Sequence, residues 1–389
     1  MDFLNNEFEC VAKTFFGLED VLASEIESLG GKSIKKLTRA VSFSCDKELL
    51  YIANLSLRTA LRILVPISNT TINEAKDLYT AAMQIDWTSI FNFDKTFSIN
   101  AYANQPFFRN SNYAALLVKD AIADTFVSKL GARPDVEKRN PDIVIDVYVN
   151  QKQAVISIDS SGDSLHRRGY RLEKNVAPLN EVLAAGIILL SEWNKNTTFI
   201  DTMCGSGTLP IEAALMSRNI PVNFRRKNFS FKHWKNFELM LFNKVRNKLK
   251  HSIVENNVKI IGADIDRETV TIALSNASRA KVDDFIELYV SPFEEFTPPI
   301  GKKHLVINPP YDERLKKESI TDFYKLIGDT LKQKYNDTTA WIFTGNTEAR
   351  KAIGLKPSRK IPLYNGPIES RLLKYEIYEG TKRIFENYE

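Results

Sequence analysis

Five short apolar runs separated by helical stretches fill the chain from about residue 165 onward, and this alternation restricts what it can fold into. The runs are Thr198–Met203, Lys259–Asp264, Ile286–Val290, Lys303–Ile307 and Ala340–Thr344. Strands of that length joined by helical crossovers predict a parallel sheet. The end of the chain breaks the rhythm. Asn365-Gly366 lies between Lys360–Tyr364 and Leu372–Tyr378, so an antiparallel hairpin is expected to finish the sheet.

The first 165 residues read differently. Strands are predicted at Phe8–Thr14 and Val41–Phe43, with helices at Leu18–Leu29, stopped by Gly30-Gly31, and at Lys47–Asn54. Beyond them, Arg62–Pro66, Thr96–Ala103, Asp142–Val149 and Ala154–Asp159 read as strands, and Tyr113–Leu130 as a helix closed by Gly131. Segregated units of this kind indicate α+β structure. The predicted division is therefore 1–60, 61–165 and 166–389, the last part being α/β with a parallel sheet.

Several classes of protein are excluded early. The longest apolar run, Val182 to Leu190, is nine residues, less than half of the ~20 needed to span a bilayer. The N-terminus has no basic, then apolar, secretory pattern. Cys10, Cys45 and Cys204 are scattered, which suits a reducing cytoplasm, and no pair of the four histidines has metal-ligand spacing. No metal site and no membrane association are expected. The net charge of +5 is too mild to name a partner by itself.

The chemistry concentrates at the ends of the predicted parallel strands. Phe199-Ile200-Asp201-Thr202-Met203-Cys204-Gly205-Ser206-Gly207-Thr208-Leu209-Pro210 carries a strand into a Gly-x-Gly turn and a helix start. Such a turn lets backbone approach a ligand closely. A dinucleotide fingerprint requires a third glycine where Pro210 stands. Asp201, just before the loop, instead suits a ligand carrying an ammonium, as S-adenosylmethionine does; a purely structural turn is the alternative. Asp264, at the end of the next strand, is placed to accept ribose hydroxyls, and Asp266 to cap the following helix. Asp201, Cys204, Gly205, Gly207 and Asp264 are the expected cofactor residues.

The run Leu305-Val306-Ile307 ends in Asn308-Pro309-Pro310-Tyr311. Two prolines stop the strand abruptly. The Asn308 amide and the Pro309 carbonyl can both accept hydrogens from an exocyclic amine, and Tyr311 offers a face for a base. These three are the expected catalytic residues. No Cys or His is placed as nucleophile or base, so Cys204 reads as turn packing.

Asp-x-x-Cys-Gly-Ser-Gly-Thr followed by Asn-Pro-Pro-Tyr resembles the class I methyltransferases that modify exocyclic amines. The stretch from Asp159 to Arg171, continued by Ala177-Pro178-Leu179-Asn180-Glu181, resembles the THUMP-domain RNA methyltransferases of the RlmL type. Phe16-Gly17-Leu18-Glu19, Phe229-Ser230-Phe231-Lys232-His233-Trp234 and Phe343-Thr344-Gly345-Asn346 do so too. The resemblance implies a ferredoxin-like domain over 1–60, a THUMP domain over 61–165 and a class I (Rossmann-like) methyltransferase domain over 166–389. It also implies methyl transfer from S-adenosylmethionine to guanine N2 in 23S rRNA or a large-subunit assembly intermediate, by a cytoplasmic monomer. The alternatives are the same reaction on tRNA, DNA adenine-N6 methylation, and a non-catalytic RNA-binding assembly factor. Two departures from the family stand out: Asp312 occupies a glycine position, and Ser291-Pro292 stands where many class I enzymes carry the acidic residue that contacts adenine.

Arg167, Arg168 and Arg171 form one basic cluster; Arg225, Arg226 and Lys227 form a second, followed by aromatics. Arginine beside aromatic groups suits unpaired RNA, and all six are expected RNA contacts. A solvated face is the alternative for the second cluster, and bracing of the domain junction for the first.

Overall fold

The computed structural model describes residue 4 and residues 6–108, 110–171, 179–310 and 317–378. Tyr311, Asp312 and Ala177-Pro178 lie outside the described residues. Contacts divide the chain into two compact units, Met1–Arg168 with Pro221–Ser252, and Gly169–Ile220 with Ile253–Glu389.

In chain order the first unit contains β1 (Phe8–Lys13), α1 (Glu19–Ser28), β2 (Lys32–Leu37), β3 (Ala40–Cys45), α2 (Lys47–Ser56), β4 (Arg62–Thr71), α3 (Ala75–Met83), α4 (Trp87–Ile90), β5 (Phe97–Asn104), α5 (Ser111–Leu130), β6 (Ile143–Asn150) and β7 (Gln153–Asp159). The second unit opens with α6 (Glu181–Leu190), β8 (Thr198–Asp201) and α7 (Thr208–Ser217). The chain then returns to the first unit for α8 (Leu239–His251). It completes the second with β9 (Ile260–Asp264), α9 (Arg267–Ala280), β10 (Glu287–Val290), β11 (Lys303–Ile307), α10 (Lys317–Lys334), β12 (Thr338–Thr344), β13 (Arg359–Asn365) and β14 (Ile368–Ile377).

The two N-terminal regions expected from sequence share one seven-stranded sheet, in the order β2-β3-β1-β4-β7-β6-β5. β4 makes the join. It pairs antiparallel with β1 (Val11↔Leu64) and, on its other side, with β7 (Leu64↔Asp159 to Thr71↔Gln153). Its register shifts between Pro66 and Ser68, where proline has no N–H to give the ladder. β5 and β6 run parallel, and the other neighbours antiparallel. One apolar core joins both halves, taking Leu22 and Ile26 from α1, Leu50 from α2, Leu78 from α3 and Phe126 from α5. Helix α5 is fixed at both ends: Asn110 Oδ1 accepts the Tyr113 N–H, and Gly131 turns left-handed at φ 66°.

Phe229, Phe231, Trp234, Phe242 and Val245 belong to this same core. Ser230 Oγ donates to the Asp142 carbonyl (2.8 Å), and the Asn223 N–H to the Leu55 carbonyl (3.0 Å). Residues 221–252 therefore pack with the first unit although they lie inside the stretch of sequence read as methyltransferase.

The second unit's sheet has the order β10-β9-β8-β11-β12-β14-β13. β8 to β12 are mutually parallel, and β14 runs antiparallel to β12. This is the class I methyltransferase arrangement, closed by the expected hairpin. The hairpin turns on Gly366 (φ 60°) and Pro367, inside the closing pair Asn365↔Ile368. Strand order reverses between β8 and β11, and ligands of such sheets bind beyond the carboxyl ends of the strands at that point.

Candidate active site and basic residues

β8 ends in Asp201, which is 1% exposed. The chain then turns sharply. The Gly207 N–H donates to the Cys204 carbonyl (2.9 Å), and the Cys204 N–H ties the turn to the Ala263 carbonyl of β9 (2.9 Å). Gly205 and Gly207 both have positive φ, 52° and 84°. A Cβ on Gly205 would meet nothing within 4 Å, whereas one on Gly207 would lie 3.0 Å from the Ala273 Cβ on α9. Gly207 is thus needed for its conformation and for the close approach of α9. Gly207→Ala is expected to destabilise the protein by about 1–3 kcal/mol, read as a lower Tm together with weakened binding of S-adenosylhomocysteine.

Two carboxylates sit under the turn. Asp264, at the end of β9, accepts the Gly205 N–H (2.9 Å) and the Asp266 N–H (3.1 Å). Asp266 caps α9 by accepting the Glu268 and Thr269 N–H groups. Asp201 accepts the Met203 N–H (3.1 Å). Burial, and secondarily the negative charge of Asp264, raise the Asp201 carboxyl well above the usual range. Burial and the same two carboxylates push the Cys204 thiol well above its ordinary value. Cys204 is therefore a thiol, not a thiolate nucleophile, near neutral pH.

β11 pairs with β8 through Leu305↔Ile200, so Asn308, three residues further on, leaves the sheet level with the Thr202–Met203 turn. Its Oδ1 is buried and accepts no hydrogen bond among the described residues. Burying an acceptor unpaired costs about 1–3 kcal/mol, so an amine donor entering the cleft would gain by pairing with this atom. Pro309 is buried and Pro310 exposed.

A cleft of about 710 Å³ opens over these residues. Asp201, Cys204, Gly205, Asp264 and Asn308 line it together, with Ile265, Ile272 and Phe323 supplying apolar wall. The expected Gly207 stands behind this surface. Among the described lining residues three are carboxylates (Asp201, Asp264, Glu294) and one, Arg171, is a cation. That inventory fits a ligand with two positive centres and one carboxylate. It does not fit the paired phosphates of a dinucleotide. Among the described residues no cluster of acidic, His or Cys side chains can hold a metal, and no helix is long and apolar enough to cross a membrane.

The six basic residues expected at RNA divide into two groups. Arg171 belongs to the cleft: it donates to Thr208 Oγ1 (2.6 Å) and pairs with Glu181 (3.1 Å). Arg168 is buried, with its guanidinium on the carbonyls of Leu165 and Arg58. Arg226 donates to the carbonyls of Asn228 (2.8 Å), Ser164 (3.1 Å), Ser161 (2.9 Å) and Asp163 (2.6 Å), and lies 5.0 Å from the Phe229 ring centroid. Burial pushes its pKa down to about 10, so it stays charged at neutral pH. Arg167, Arg225 and Lys227 are exposed. Because Arg226 clamps the 161–164 segment, the exposed Arg225 and Lys227 flank the turn that leads to Arg167. Arg226→Ala removes the guanidinium from all four carbonyls, of which Ser164 keeps the Arg167 N–H (3.1 Å), and is expected to cost about 2–4 kcal/mol. Arg225→Ala and Lys227→Ala should leave thermal unfolding unchanged.

Sequence reasoning missed Arg171 as a cleft residue, along with Ile265, Asn276 and Glu294. Asn276, on α9, donates to the Ser206 carbonyl (3.0 Å) and so fixes the turn. The one available signal was Ile265, an apolar residue between two aspartates and 70% exposed.

Known proteins agree with this architecture along nearly the whole chain. An RMKL-like methyltransferase domain profile matches residues 168–374, a THUMP domain profile residues 73–159, and an RlmL ferredoxin-like domain profile residues 9–64. A Synechocystis sp. protein described as an RNA methyltransferase is 36% identical over 364 residues, 93% of this chain and 95% of the relative. The crystal structure of SMU.472, described as a methyltransferase and solved with SAH, superposes with a TM-score of 0.88 at 28% identity, covering 97% of this chain and all of that one (100%). A Listeria monocytogenes structure described as an N6-adenine-specific DNA methylase gives a TM-score of 0.87 at 27% identity, over 95% of this chain and 96% of that one. With all three domain profiles matched in order and a relative this similar end to end, the chain belongs to the THUMP-domain RNA methyltransferases of the RMKL-like family.

Proposed function

We propose that the protein transfers a methyl group from S-adenosylmethionine to the exocyclic N2 of a guanine in 23S rRNA, as the free RNA or in a large-subunit assembly intermediate. The observation that carries this reading is the buried Oδ1 of Asn308, unpartnered among the described residues, in the same cleft as Asp201 and Asp264. When bound, S-adenosylmethionine supplies a methyl group activated by a sulfonium. Asp201 pairs with its ammonium, Arg171 with its carboxylate, and Asp264 with the ribose hydroxyls. Asn308 Oδ1 and the Pro309 carbonyl accept the hydrogens of the guanine amine. They thereby oppose delocalisation of the nitrogen lone pair into the ring and hold that lone pair in line with the methyl carbon, so that the N–C bond would form as the S–C bond breaks, with S-adenosylhomocysteine as the leaving group and one amine hydrogen lost as a proton to water. Tyr311 stacks on the base, which must be flipped out or already unpaired to reach the cleft. With Cys204 held as a thiol, the described cleft residues include no thiolate nucleophile, and positioning contributes much of the rate, with effects of roughly 7–11 kcal/mol available from orientation.

Arg167, Arg225 and Lys227 form the proposed phosphate-contacting face of the first unit. Replacing one by Ala should weaken RNA binding evenly across sequences and reduce the salt slope by about 1. The substrate assignment is tested by supplying methyl-labelled S-adenosylmethionine with unmodified 23S rRNA and tRNA in parallel. Label in 23S rRNA alone is expected; label in tRNA alone overturns the substrate assignment and leaves the chemistry standing.

A further inference from the structure

The first unit buries two thiols that the chemistry of the cleft does not use. Cys10 lies on β1 and Cys45 on β3, neighbours in the strand order β2-β3-β1. The antiparallel register pairs Cys10 with Phe43 and Cys45 with Phe8, so the two cysteines stand diagonally on one face of the sheet. That face is the apolar core, and both side chains are buried in it. Their sulfurs lie 2.6 Å apart, although the residues are 35 positions apart in sequence. Among the described residues neither sulfur has another hydrogen-bond partner, and no further His, Cys or acidic side chain joins them in a group able to hold a metal.

We infer that Cys10 and Cys45 are an oxidation site, closing a disulfide between β1 and β3 when the protein meets hydrogen peroxide. A disulfide requires sulfurs about 2.05 Å apart, so the pair closes with a small shift and the strands keep their register. One thiolate takes an oxygen from the peroxide as its O–O bond breaks, giving a sulfenic acid and, with a proton, water. The other sulfur then displaces that hydroxyl as a second water, and the S–S bond forms. The two thiols lose two hydrogens in all, and one peroxide becomes two waters. Burial, with the bond to Cys45, raises the Cys10 thiol well above its ordinary value, so little thiolate is present and the reaction is slow. Access comes through local opening of β3, which has only the edge strand β2 beyond it. The bond closes a loop containing α1 and β2, and stabilises by restricting the unfolded chain.

The test treats the reduced full-length protein with hydrogen peroxide, in buffer and in urea below the unfolding transition. Remaining thiols are then alkylated under denaturing conditions and the peptides weighed. Met240, 88% exposed, reports through its sulfoxide that the oxidant acted. A Cys10–Cys45 cross-linked peptide is expected, with Cys204 still alkylated. The Tm of the oxidised protein should rise by about 5–10 °C and fall back on reduction with dithiothreitol. Cys45→Ala should show no rise. Oxidised Met240 with Cys10 and Cys45 both alkylated in either solution would overturn the inference. So would sulfinic acids at these positions, bonds from either residue to Cys204 or to another molecule, or a Tm rise that persists in Cys45→Ala.

Discussion

Asn308→Ala should lower methyl transfer by about 10³-fold while the Kd for S-adenosylhomocysteine changes less than about threefold. The size follows from removing a preorganised hydrogen-bond partner of the reacting group, worth about 10²–10³ by itself, together with the orientation it enforces. The asymmetry follows from the structure, because Asn308 Oδ1 supports no other described group and its loss leaves the Asp201–Gly207 turn intact. Single-turnover transfer and calorimetry on the same preparation read both quantities. A parallel fall in transfer and cofactor affinity would make Asn308 a structural support of the cleft.

The second large effect concerns Asp201. Replacement by Asn removes the counter-charge of the cofactor ammonium and should weaken S-adenosylhomocysteine binding by about 10²-fold, in the range measured for truncating one partner of a buried ion pair. Folding should respond in the opposite direction. The Asp201 carboxyl is raised in the folded protein, so the folded state holds this proton more tightly than the unfolded one. Its contribution to ligand-free stability is complete below the ordinary aspartate range and is lost as pH rises through the raised value. Asp201→Asn should flatten that pH dependence and raise the ligand-free Tm at neutral pH. Wild-type affinity for S-adenosylhomocysteine should climb with pH over the same window as the carboxylate forms, and the variant's should not. A variant that is both less stable and unchanged in affinity would contradict the pairing.

What the sequence disclosed about the fold depended on burial. β8, β9 and β11 were legible because most of their side chains are buried, which writes a continuous apolar run. β2 was not, because it is an edge strand, and Lys32, Lys35 and Lys36 face solvent. α3 was overlooked too; its signals are short, a Glu74/Asp77 capping box ahead of a single apolar stripe. The return of residues 221–252 to the first unit rests on contacts such as Asn223 to Leu55, 168 positions apart in sequence, which no periodicity reports.

The site followed the same logic. Asp201, Gly205, Asp264 and Asn308 were legible because each ends a parallel strand or turns directly out of one, and the structure brings all four to one cleft. Arg168, Arg171 and Arg226 were read as RNA contacts because a run of arginines states charge and not direction. Their terminal guanidinium nitrogens are held by carbonyls, Thr208 and Glu181 inside the fold. Glu294 was hidden for the converse reason: beside Glu295 it looks like surface charge, and only the Pro292 turn gives it a place at the cleft.

Identifying the methylated nucleoside after digestion of the labelled RNA tests the central claim most directly. The account predicts N2-methylguanosine, formed by the wild-type protein and absent with Asn308→Ala. N6-methyladenosine, or a base methylated on carbon, would contradict it.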